Sequence, residues 1–338
     1  MKLRLHPYEL QLSQPFTTSH GSRSSQKTLL VELADGEHSG WGEAAATSYY
    51  GIQQDGMMEA LGEIRHLIED SGNLTPDALW ERCAPFLKAN TFALCALDVA
   101  MHDLWARKLG QPLWEHWGLS LHRLPLTNYT IGMDTVAGMR QKMLDQPWPI
   151  YKIKLGTPDD IKIVQELRRH TQALFRVDAN GGWTVSEALA NARALQGLGV
   201  EFIEQPLPAG DAEGMKLLFA QSPLPLIADE SCQREGDVAL CQGHFHGINI
   251  KLTKCGGLTP ALRMIGRARQ LGLQVMVGCM TESTVGISAI AQLLPLVDYA
   301  DLDGALLLKE DIAEGVSIRE GKVYFPSRTG TGVHLLEA

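Results

Sequence analysis

The sequence lacks the features that mark several large protein classes. Its 338 residues carry 30 Lys and Arg against 39 Asp and Glu, a formal net charge of −9. The basic residues form no stripe or cluster of the kind that binds nucleic acid. No apolar run approaches the roughly 18 residues that span a membrane. We therefore expect neither nucleic acid nor a membrane among the partners.

Cysteine spacing and the first residues bear on the compartment. The six cysteines include no C-x-x-C pair and share no spacing with the histidines, which excludes the common zinc patterns. His6, Pro7 and Glu9 interrupt the apolar core that a signal peptide would need. These observations predict a cytoplasmic protein with reduced thiols rather than a disulfide framework.

Two motifs of other enzyme classes are also missing. The phosphate-binding pattern G-x-G-x-x-G is absent, which disfavours an open doubly wound sheet around a dinucleotide. The nucleophile elbow G-x-S-x-G is absent as well, so no serine has the setting of a hydrolase nucleophile. The chemistry must come from another set of side chains.

The chain divides into two patterns. Residues 1–124 begin with three strand-like segments, LRLHPYEL, TLLVEL and GWGEAAA, and continue with helical patterns at 54–70, 75–84 and 92–109. Strands followed by helices predict an α+β unit. The last helical pattern is apolar nearly all round, so we expect it to lie between two layers.

From residue 125 to about 311 the pattern becomes a repeat of short apolar strands and amphipathic helices. Eight strand signals at a near-constant period predict a parallel sheet closed into a barrel. Their sequences are LTNYTIGM, YKIKLG, ALFRVDANG, VEFIEQP, LPLIADES, HGINIKL, LQVMVGCM and YADLDG.

Most of these strands end in an ionisable residue, and these residues recur at nearly equal intervals along the sequence. Lys154, Asp178, Glu204, Asp229 and Lys251 follow one another at intervals of 24, 26, 25 and 22 residues. A single acidic residue at a strand end is most often a helix cap or a turn residue. Five in phase are hard to explain that way, because the carboxyl ends of barrel strands meet at one rim. We therefore expect these side chains to lie together.

The three carboxylates of this set suit a divalent cation. Asp178, Glu204 and Asp229 come from adjacent strands, and three such groups in one cleft need a counter-ion. Hard oxygen ligands favour Mg²⁺, whereas zinc would prefer His or Cys, none of which is in phase. The alternative is a set of unrelated salt bridges.

Three lysines face the same interior. Lys152 and Lys154 lie two positions apart on one strand, so both point inward, and we expect repulsion and desolvation to lower their pKa towards that of a usable base. Lys251 lies four strands away, on the opposite side of the rim. Two opposed lysines can remove a proton from one face of a carbon and return one to the other. Lys254 falls beyond the strand end, where we expect a structural or loop-exposed role.

Asp301 and Asp303 form a D-x-D pair on the eighth strand. Two carboxylates on one buried face require a cation between them. The candidates are a bound ligand, a salt bridge to Lys251 or Lys309, and a metal with a nucleotide-sugar.

Together these residues resemble the enolase superfamily, in its muconate-lactonizing subgroup. K-x-K on the second barrel strand, Asp, Glu and Asp on the next three, and Lys on the sixth match that pattern over almost the whole chain. The resemblance implies a (β/α)7β modified TIM barrel under an α+β capping domain, formed by residues 1–124 and completed by about 312–338. It also implies roles for individual residues: Mg²⁺ ligands Asp178, Glu204 and Asp229, acid/base lysines Lys154 and Lys251, and Lys152 as a contact of the bound carboxylate.

Within the subgroup, the D-x-D pair resembles that of dipeptide epimerases, particularly those acting on L-Ala-D/L-Glu. The resemblance implies that Asp301 and Asp303 hold the substrate ammonium. It also implies that Arg23, in PFTTSHGSRSS, meets the glutamate side chain. Tyr49 and Tyr50 are candidate closing residues.

The expected function is Mg²⁺-dependent inversion of the C-terminal residue of a small dipeptide, L-Ala-L-Glu to L-Ala-D-Glu, by 1,1-proton transfer through an enediolate. This would be an isomerase, and a homo-oligomer is one expected assembly. The alternatives are an o-succinylbenzoate synthase, an N-acylamino acid racemase, a cycloisomerase, or a non-catalytic barrel that binds a metal or a small acid.

Overall fold

The computed structural model describes residues 1–18 and 21–336. The centre of the PFTTSHGSRSS segment and the last two residues of the predicted capping segment 312–338 lie outside the described residues. The strands are β1 (Lys2–Thr18), β2 (Gly21–Asp35), β3 (His38–Ala45), β4 (Tyr129–Ile131), β5 (Ile150–Lys154), β6 (Leu174–Asp178), β7 (Val200–Glu204), β8 (Leu226–Ala228), β9 (Gly247–Lys251), β10 (Gln274–Gly278), β11 (Tyr299–Asp301), β12 (Ala313–Glu314), β13 (Ser317–Arg319), β14 (Lys322–Tyr324) and β15 (His334–Leu335).

Twelve α-helices lie in the described residues. They are α1 (Gln54–Glu63), α2 (Arg65–Glu69), α3 (Pro76–Leu87), α4 (Thr91–Lys108), α5 (Leu113–His116), α6 (Val136–Asp145), α7 (Asp160–Arg168), α8 (Val185–Gln196), α9 (Ala212–Gln221), α10 (Leu252–Cys255), α11 (Leu258–Gln270) and α12 (Thr284–Ala291). Short 3₁₀ helices span Ser48–Tyr50, Glu235–Cys241, Leu294–Leu296 and Asp303–Leu307. None of the described helices is both long enough and apolar enough to cross a bilayer.

The N-terminal half of the cap is an antiparallel sheet covered by helices. β1, β2 and β3 pair in that order, and α4 packs across β3. This close packing requires glycine at Gly42, where an added Cβ would lie 2.0 Å from the carbonyl oxygen of Ala96. α4 also contacts α10 and α11 of the barrel. Its all-round apolar surface therefore lies between two layers, as the sequence predicts.

The second half is a parallel barrel of eight strands. β4 to β11 pair in sequence order, and a parallel bridge between Thr127 and Ala300 brings the last strand beside the first. The predicted (β/α)7β barrel is confirmed. Within the described ranges, the β8–β9 connection is the one that replaces its α-helix with a 3₁₀ helix, Glu235–Cys241.

Strand register brings the ionisable strand ends to one level. Lys154 is the register partner of Asp178, which is in turn the partner of Glu204. On the far side, Gly278 is the partner of both Lys251 and Asp301. Because neighbouring parallel strands end together, their last side chains surround one mouth of the barrel.

The C-terminal segment returns from the barrel to the cap. β12 pairs with β15, and β13 pairs with β14. The buried carboxylate of Asp103 on α4 accepts hydrogen bonds from the backbone N–H groups of Thr331 and Trp41. One helix residue thus joins the C-terminal segment to the cap sheet. The domain limits near residues 124 and 311 stay a prediction.

Candidate active site

A cavity of about 250 Å³ lies where the barrel mouth meets the cap. Barrel residues at strand ends line one side of it, and residues of β1, β2 and the Ser48–Tyr50 helix line the other. Nine of the residues predicted from the sequence reach its wall: Arg23, Tyr49, Tyr50, Lys152, Lys154, Asp229, Lys251, Asp301 and Asp303. Asp178 and Glu204 are fully buried behind this wall.

Lys152 occupies the centre of the carboxylate cluster. Its Nζ lies 2.7 Å from Glu204 Oε2, 2.8 Å from Asp301 Oδ2 and 3.1 Å from Asp178 Oδ2. Burial alone would lower the pKa of this lysine, but Asp301, Glu204 and Asp178 together raise it well above its usual value. The prediction of a lowered pKa is wrong for Lys152, because its nearest charged neighbours are carboxylates rather than a second ammonium.

Lys154 lies at the end of β5, beside the first carboxylate. Its Nζ donates to Asp178 Oδ2 at 2.7 Å and to Asn180 Oδ1 at 3.2 Å. Asn180 has a left-handed backbone, with φ of 44°, and its side-chain amide also donates to Glu230. Burial opposes ionisation of Asp178, but Lys154 and Lys152 lower its pKa to about 2. Asp178 is therefore ionised and holds Lys154 at the cavity wall.

Asp229 is held by two lysines from the opposite side. Lys251 Nζ donates to Asp229 Oδ2 at 2.8 Å. Lys254 Nζ donates to Oδ1 at 2.5 Å and to the Asp229 carbonyl oxygen at 2.6 Å. Lys254 is 2% exposed, so the expectation of a loop-exposed lysine is wrong and the structural alternative holds. The turn of α10 directly after β9 folds this side chain back over the carboxylate.

Lys154 and Lys251 stand on opposite sides of the barrel mouth. β5 and β9 are separated by three strands in the eight-stranded order, which is half the circumference. Both lysines line the same cavity. For Lys251, burial is outweighed by Asp229, so its pKa is raised rather than lowered in this arrangement.

Gln205 is a buried residue of the site that was not predicted. Its Oε1 accepts from the backbone N–H groups of Asp229 and Ser231, and its Nε2 donates to Ser231 Oγ. The amide thus fixes the turn that carries Asp229. In the sequence, only the position of a glutamine between Glu204 and Pro206 indicates this role. Its left-handed backbone, with φ of 36°, is visible only in the structure.

The donor set fits a hard divalent cation. Asp178, Glu204 and Asp229 offer only oxygen ligands, and Glu204 Oε2 makes no hydrogen bond in the described structure, although Lys152 is at ion-pair distance. Asn249 holds the other oxygen of Glu204 at 2.8 Å. Across residues 1–18 and 21–336, no three His, Cys, Asp or Glu side chains are grouped tightly enough to ligate an ion as they stand. The ligand assignment stays a prediction.

The D-x-D pair has two different environments. Asp301 Oδ1 accepts from Asn128 Nδ2 at 2.7 Å, and Oδ2 accepts from Lys152. The partner of Asp301 is thus neither Lys251 nor Lys309. Asp303 accepts from the backbone N–H of Thr130, and burial and the adjacent Asp301 raise its pKa to about 7.

The cap contributes Arg23 and two tyrosines. Arg23 Nη2 donates to Thr281 Oγ1 at 2.8 Å, while its buried Nε has no hydrogen-bond partner among the described residues. Tyr49 and Tyr50 both line the cavity, and burial raises the pKa of each. Glu282, which follows β10, is buried outside the cavity lining, and its Oε1 accepts from the backbone N–H of Met280.

Two family models match the chain. The mandelate racemase / muconate lactonizing enzyme N-terminal domain matches residues 2–118, and the enolase C-terminal domain-like model matches residues 134–338. The chain therefore belongs to the mandelate racemase / muconate lactonizing enzyme family of the enolase superfamily. This confirms the predicted resemblance.

Similar proteins and solved structures indicate which reaction class of this family the chain resembles. An L-Ala-D/L-amino acid epimerase from Flavobacterium johnsoniae is 56% identical over 336 residues, covering 99% of this chain and 100% of its own. The substrate-liganded L-Ala-D/L-Glu epimerase from Bacillus subtilis has a TM-score of 0.91 at 28% identity, covering 98% of this chain and 99% of that chain. A dipeptide epimerase from Methylococcus capsulatus, solved with Mg and L-Arg-D-Lys, has a TM-score of 0.87 at 31% identity and covers 98% and 99%. The prediction of an isomerase is confirmed by these relatives.

Proposed function

We propose that this protein is a Mg²⁺-dependent dipeptide epimerase that inverts the C-terminal residue, with L-Ala-L-Glu and L-Ala-D-Glu as its substrate pair. The observation that carries the proposal is the position of Lys154 and Lys251, which face one cavity from opposite strands. The epimerase relatives at 56% identity and at 31% identity support the same reaction.

The two lysines divide the proton transfer between them. One lysine, as the neutral amine, takes the α-proton from one face of the C-terminal residue. The other, as an ammonium, gives a proton to the opposite face. The configuration inverts, and the proton lost by the substrate is replaced by one from the protein, so no oxidant or other co-reactant is needed.

Asp178, Glu204 and Asp229 are the residues that would hold Mg²⁺. When bound, the ion supplies positive charge that offsets the negative charge developing on the substrate carboxylate as the α-proton leaves. Lys152, whose Nζ is within 3.1 Å of two of these carboxylates, adds a second positive charge at the same place. Asn249 and Gln205 keep Glu204 and the Asp229 turn in position.

The rest of the cavity binds the two ends of the dipeptide. Asp301 and Asp303 provide negative charge for the free ammonium group, one peptide unit away from the reacting carbon. Arg23 provides positive charge for the glutamate carboxylate. Its unpartnered Nε supports this assignment, because a guanidinium normally uses its fixed donors on planar anions.

The test is a dipeptide library incubated with the protein and Mg²⁺ in deuterated water. Epimerised substrates exchange their α-hydrogen and gain one mass unit, and chiral chromatography shows the inverted product. We expect L-Ala-L-Glu to be among the fastest members of the library. A library without deuterium gain would contradict the proposal.

One observation favours a second candidate. Both oxygens of Asp301 already have partners, Lys152 and Asn128. A substrate without a free ammonium, such as an N-acyl amino acid, would not need this carboxylate, so an N-acylamino acid racemase is the alternative. Including N-acyl amino acids in the library separates the two reactions.

The setting of the reaction is also part of the proposal. All six cysteines are free thiols, and five of them are buried. Such unpaired cysteines suit the reducing cytoplasm, which we propose as the compartment.

A further inference from the structure

The Arg23 guanidinium lies at the cavity wall without a carboxylate partner. No Asp or Glu of the described ranges forms a salt bridge with it, and burial lowers the pKa of this arginine. Phe16, its register partner on β1, has its ring centroid 6.0 Å from the guanidinium Cζ. The positive charge is therefore available to a ligand.

The group that orients this guanidinium is a neutral hydroxyl. Thr281 Oγ1 accepts from Arg23 Nη2 at 2.8 Å, and Thr281 is 3% exposed. A carboxylate in this position would also orient the arginine but would cancel its charge. A hydroxyl fixes the direction of the fork and leaves its charge for an anionic ligand.

Thr281 is itself held firmly on both sides. Before it, the N–H of Cys279 donates to the carbonyl oxygen of Asp301 at 3.0 Å. After it, the backbone N–H and the hydroxyl of Ser283 donate to Glu43, a buried carboxylate of cap strand β3. Gly304 packs against the same segment so closely that an added Cβ would lie 2.2 Å from the carbonyl oxygen of Met280. The Thr281 hydroxyl is thus a rigidly held hydrogen-bond acceptor for Arg23, a side chain of the cap.

We propose that Thr281 is a positioning residue for substrate specificity: it aims the Arg23 guanidinium at an acidic C-terminal side chain, so that its loss weakens acidic dipeptides selectively. This inference rests on the proposed function, because it takes a dipeptide as the ligand. It adds a residue of the barrel to a recognition site whose charge comes from the cap.

The test compares Thr281→Val with Thr281→Ser. Valine keeps the shape and removes the acceptor, whereas serine keeps the acceptor. We expect Thr281→Val to raise KM for L-Ala-L-Glu by about tenfold, because a hydrogen bond to a charged group is lost. We expect kcat to change by less than about twofold, and both constants for L-Ala-L-Met to change equally little. Thr281→Ser should retain most of the wild-type preference.

Two further measurements separate specificity from folding and from turnover. In the Arg23→Met background, Thr281→Val should cause no additional loss for L-Ala-L-Glu, because its effect acts through the arginine. Calorimetric titration with both dipeptides, in the presence of Mg²⁺, should show the same selective weakening without relying on catalysis.

The outcomes distinguish this inference from the proposed function. Equal losses for both dipeptides in Thr281→Val, or a full additional loss in the Arg23→Met background, would overturn the role of Thr281 while leaving the epimerase intact. Selective weakening in the titration without turnover would support Thr281 and contradict the epimerase. A wild-type protein that binds both dipeptides equally would overturn the inference.

Discussion

The two sides of the cavity differ in how their charges are paired. On the side of β5 to β9, each lysine of the site has a carboxylate within 3.1 Å, as in the pairs Lys154–Asp178 and Lys251–Asp229. On the side of β2 and the 3₁₀ helix Asp303–Leu307, Arg23 is oriented by a hydroxyl and Asp303 by a backbone N–H. The first side holds its own groups in place. The second side retains charge that a ligand can neutralise, so it is suited to select the ligand.

The largest expected effect comes from the reacting side. Lys154→Ala and Lys251→Ala should each lower kcat/KM for epimerisation by about 10³-fold or more, since each removes the proton donor or acceptor on one face. One variant should still exchange the α-proton of a single stereoisomer with deuterium, measured by mass spectrometry.

The control for the lysine variants is Lys162→Ala, which removes an exposed lysine from α7. This variant should epimerise at the wild-type rate. Full activity in either Lys154→Ala or Lys251→Ala would end the two-lysine mechanism.

Two lysines on one carboxylate provide the next test. Lys254→Met should lower the free energy of unfolding by about 3 kcal/mol, because it leaves one oxygen of buried Asp229 without its cation. Lys251→Met should cost less stability, since Lys251 faces the cavity, where water can hydrate the carboxylate. Urea unfolding measures both. Equal losses would mean that the two lysines are not divided between structure and chemistry.

A smaller effect is expected from the selecting side. Asp303→Asn should lower kcat/KM for L-Ala-L-Glu by about 10- to 100-fold, through the lost charge opposite the ammonium. The matched control is propionyl-L-Glu, which has no ammonium group. It should bind to Asp303→Asn with the same affinity as to the wild-type protein. An equal loss for both compounds would favour a structural role for Asp303.

The same residue predicts a pH dependence. With a pKa of about 7, Asp303 loses its negative charge as the pH falls below 7, so KM for a dipeptide should rise there. Asp303→Asn should remove this part of the KM profile. An unchanged profile in the variant would assign the dependence to another group.

The last prediction concerns stability at the boundary between barrel and cap. Burial and nearby Glu43 raise the pKa of Glu282 from 4.5 to about 8. Between these values the folded state holds the proton more tightly, so stability is greatest below pH 4.5 and falls as pH rises to 8. The slope is at most about 1.4 kcal/mol per pH unit.

Glu282→Gln should flatten this part of the stability curve, measured by urea unfolding at several pH values. Glu63→Gln, an exposed substitution on α1, is the matched control and should keep the wild-type slope. A wild-type slope in Glu282→Gln would show that this carboxyl group is not the source.

Much of the fold was predictable because barrel strands and helices repeat locally. The eight apolar strand segments, the α+β order of the cap and the burial of α4 depend on patterns within short windows. The β8–β9 connection was not predictable as a 3₁₀ helix. The segment EGDVALC is short and begins with Glu, Gly and Asp, so no helical apolar period runs along it, although Val238 and Cys241 are buried in the fold.

Part of the site followed from the sequence for a similar reason. Side chains at the ends of parallel strands must converge, so strand phase alone brought Lys154, Asp178 and Lys251 to one rim. The expectation of a loop-exposed Lys254 was wrong because α10 turns the chain back immediately after β9. The spacing of the strand ends along the sequence does not encode this turn. The pKa of Lys152 was predicted with the wrong direction, because its carboxylate neighbours come from three other strands.

The amino-acid sequence by itself determined which residues end the barrel strands, because alternation and period are properties of neighbouring residues. Only the tertiary structure decided which charges are neutralised and which stay available to a ligand. That difference depends on distances of about 3 Å between side chains far apart in sequence, such as Arg23 and Thr281 or Lys152 and Asp301. A hydrogen bond forms only within a narrow range of distance and angle, and the attraction of an ion pair falls as its separation grows, so the final packing sets both.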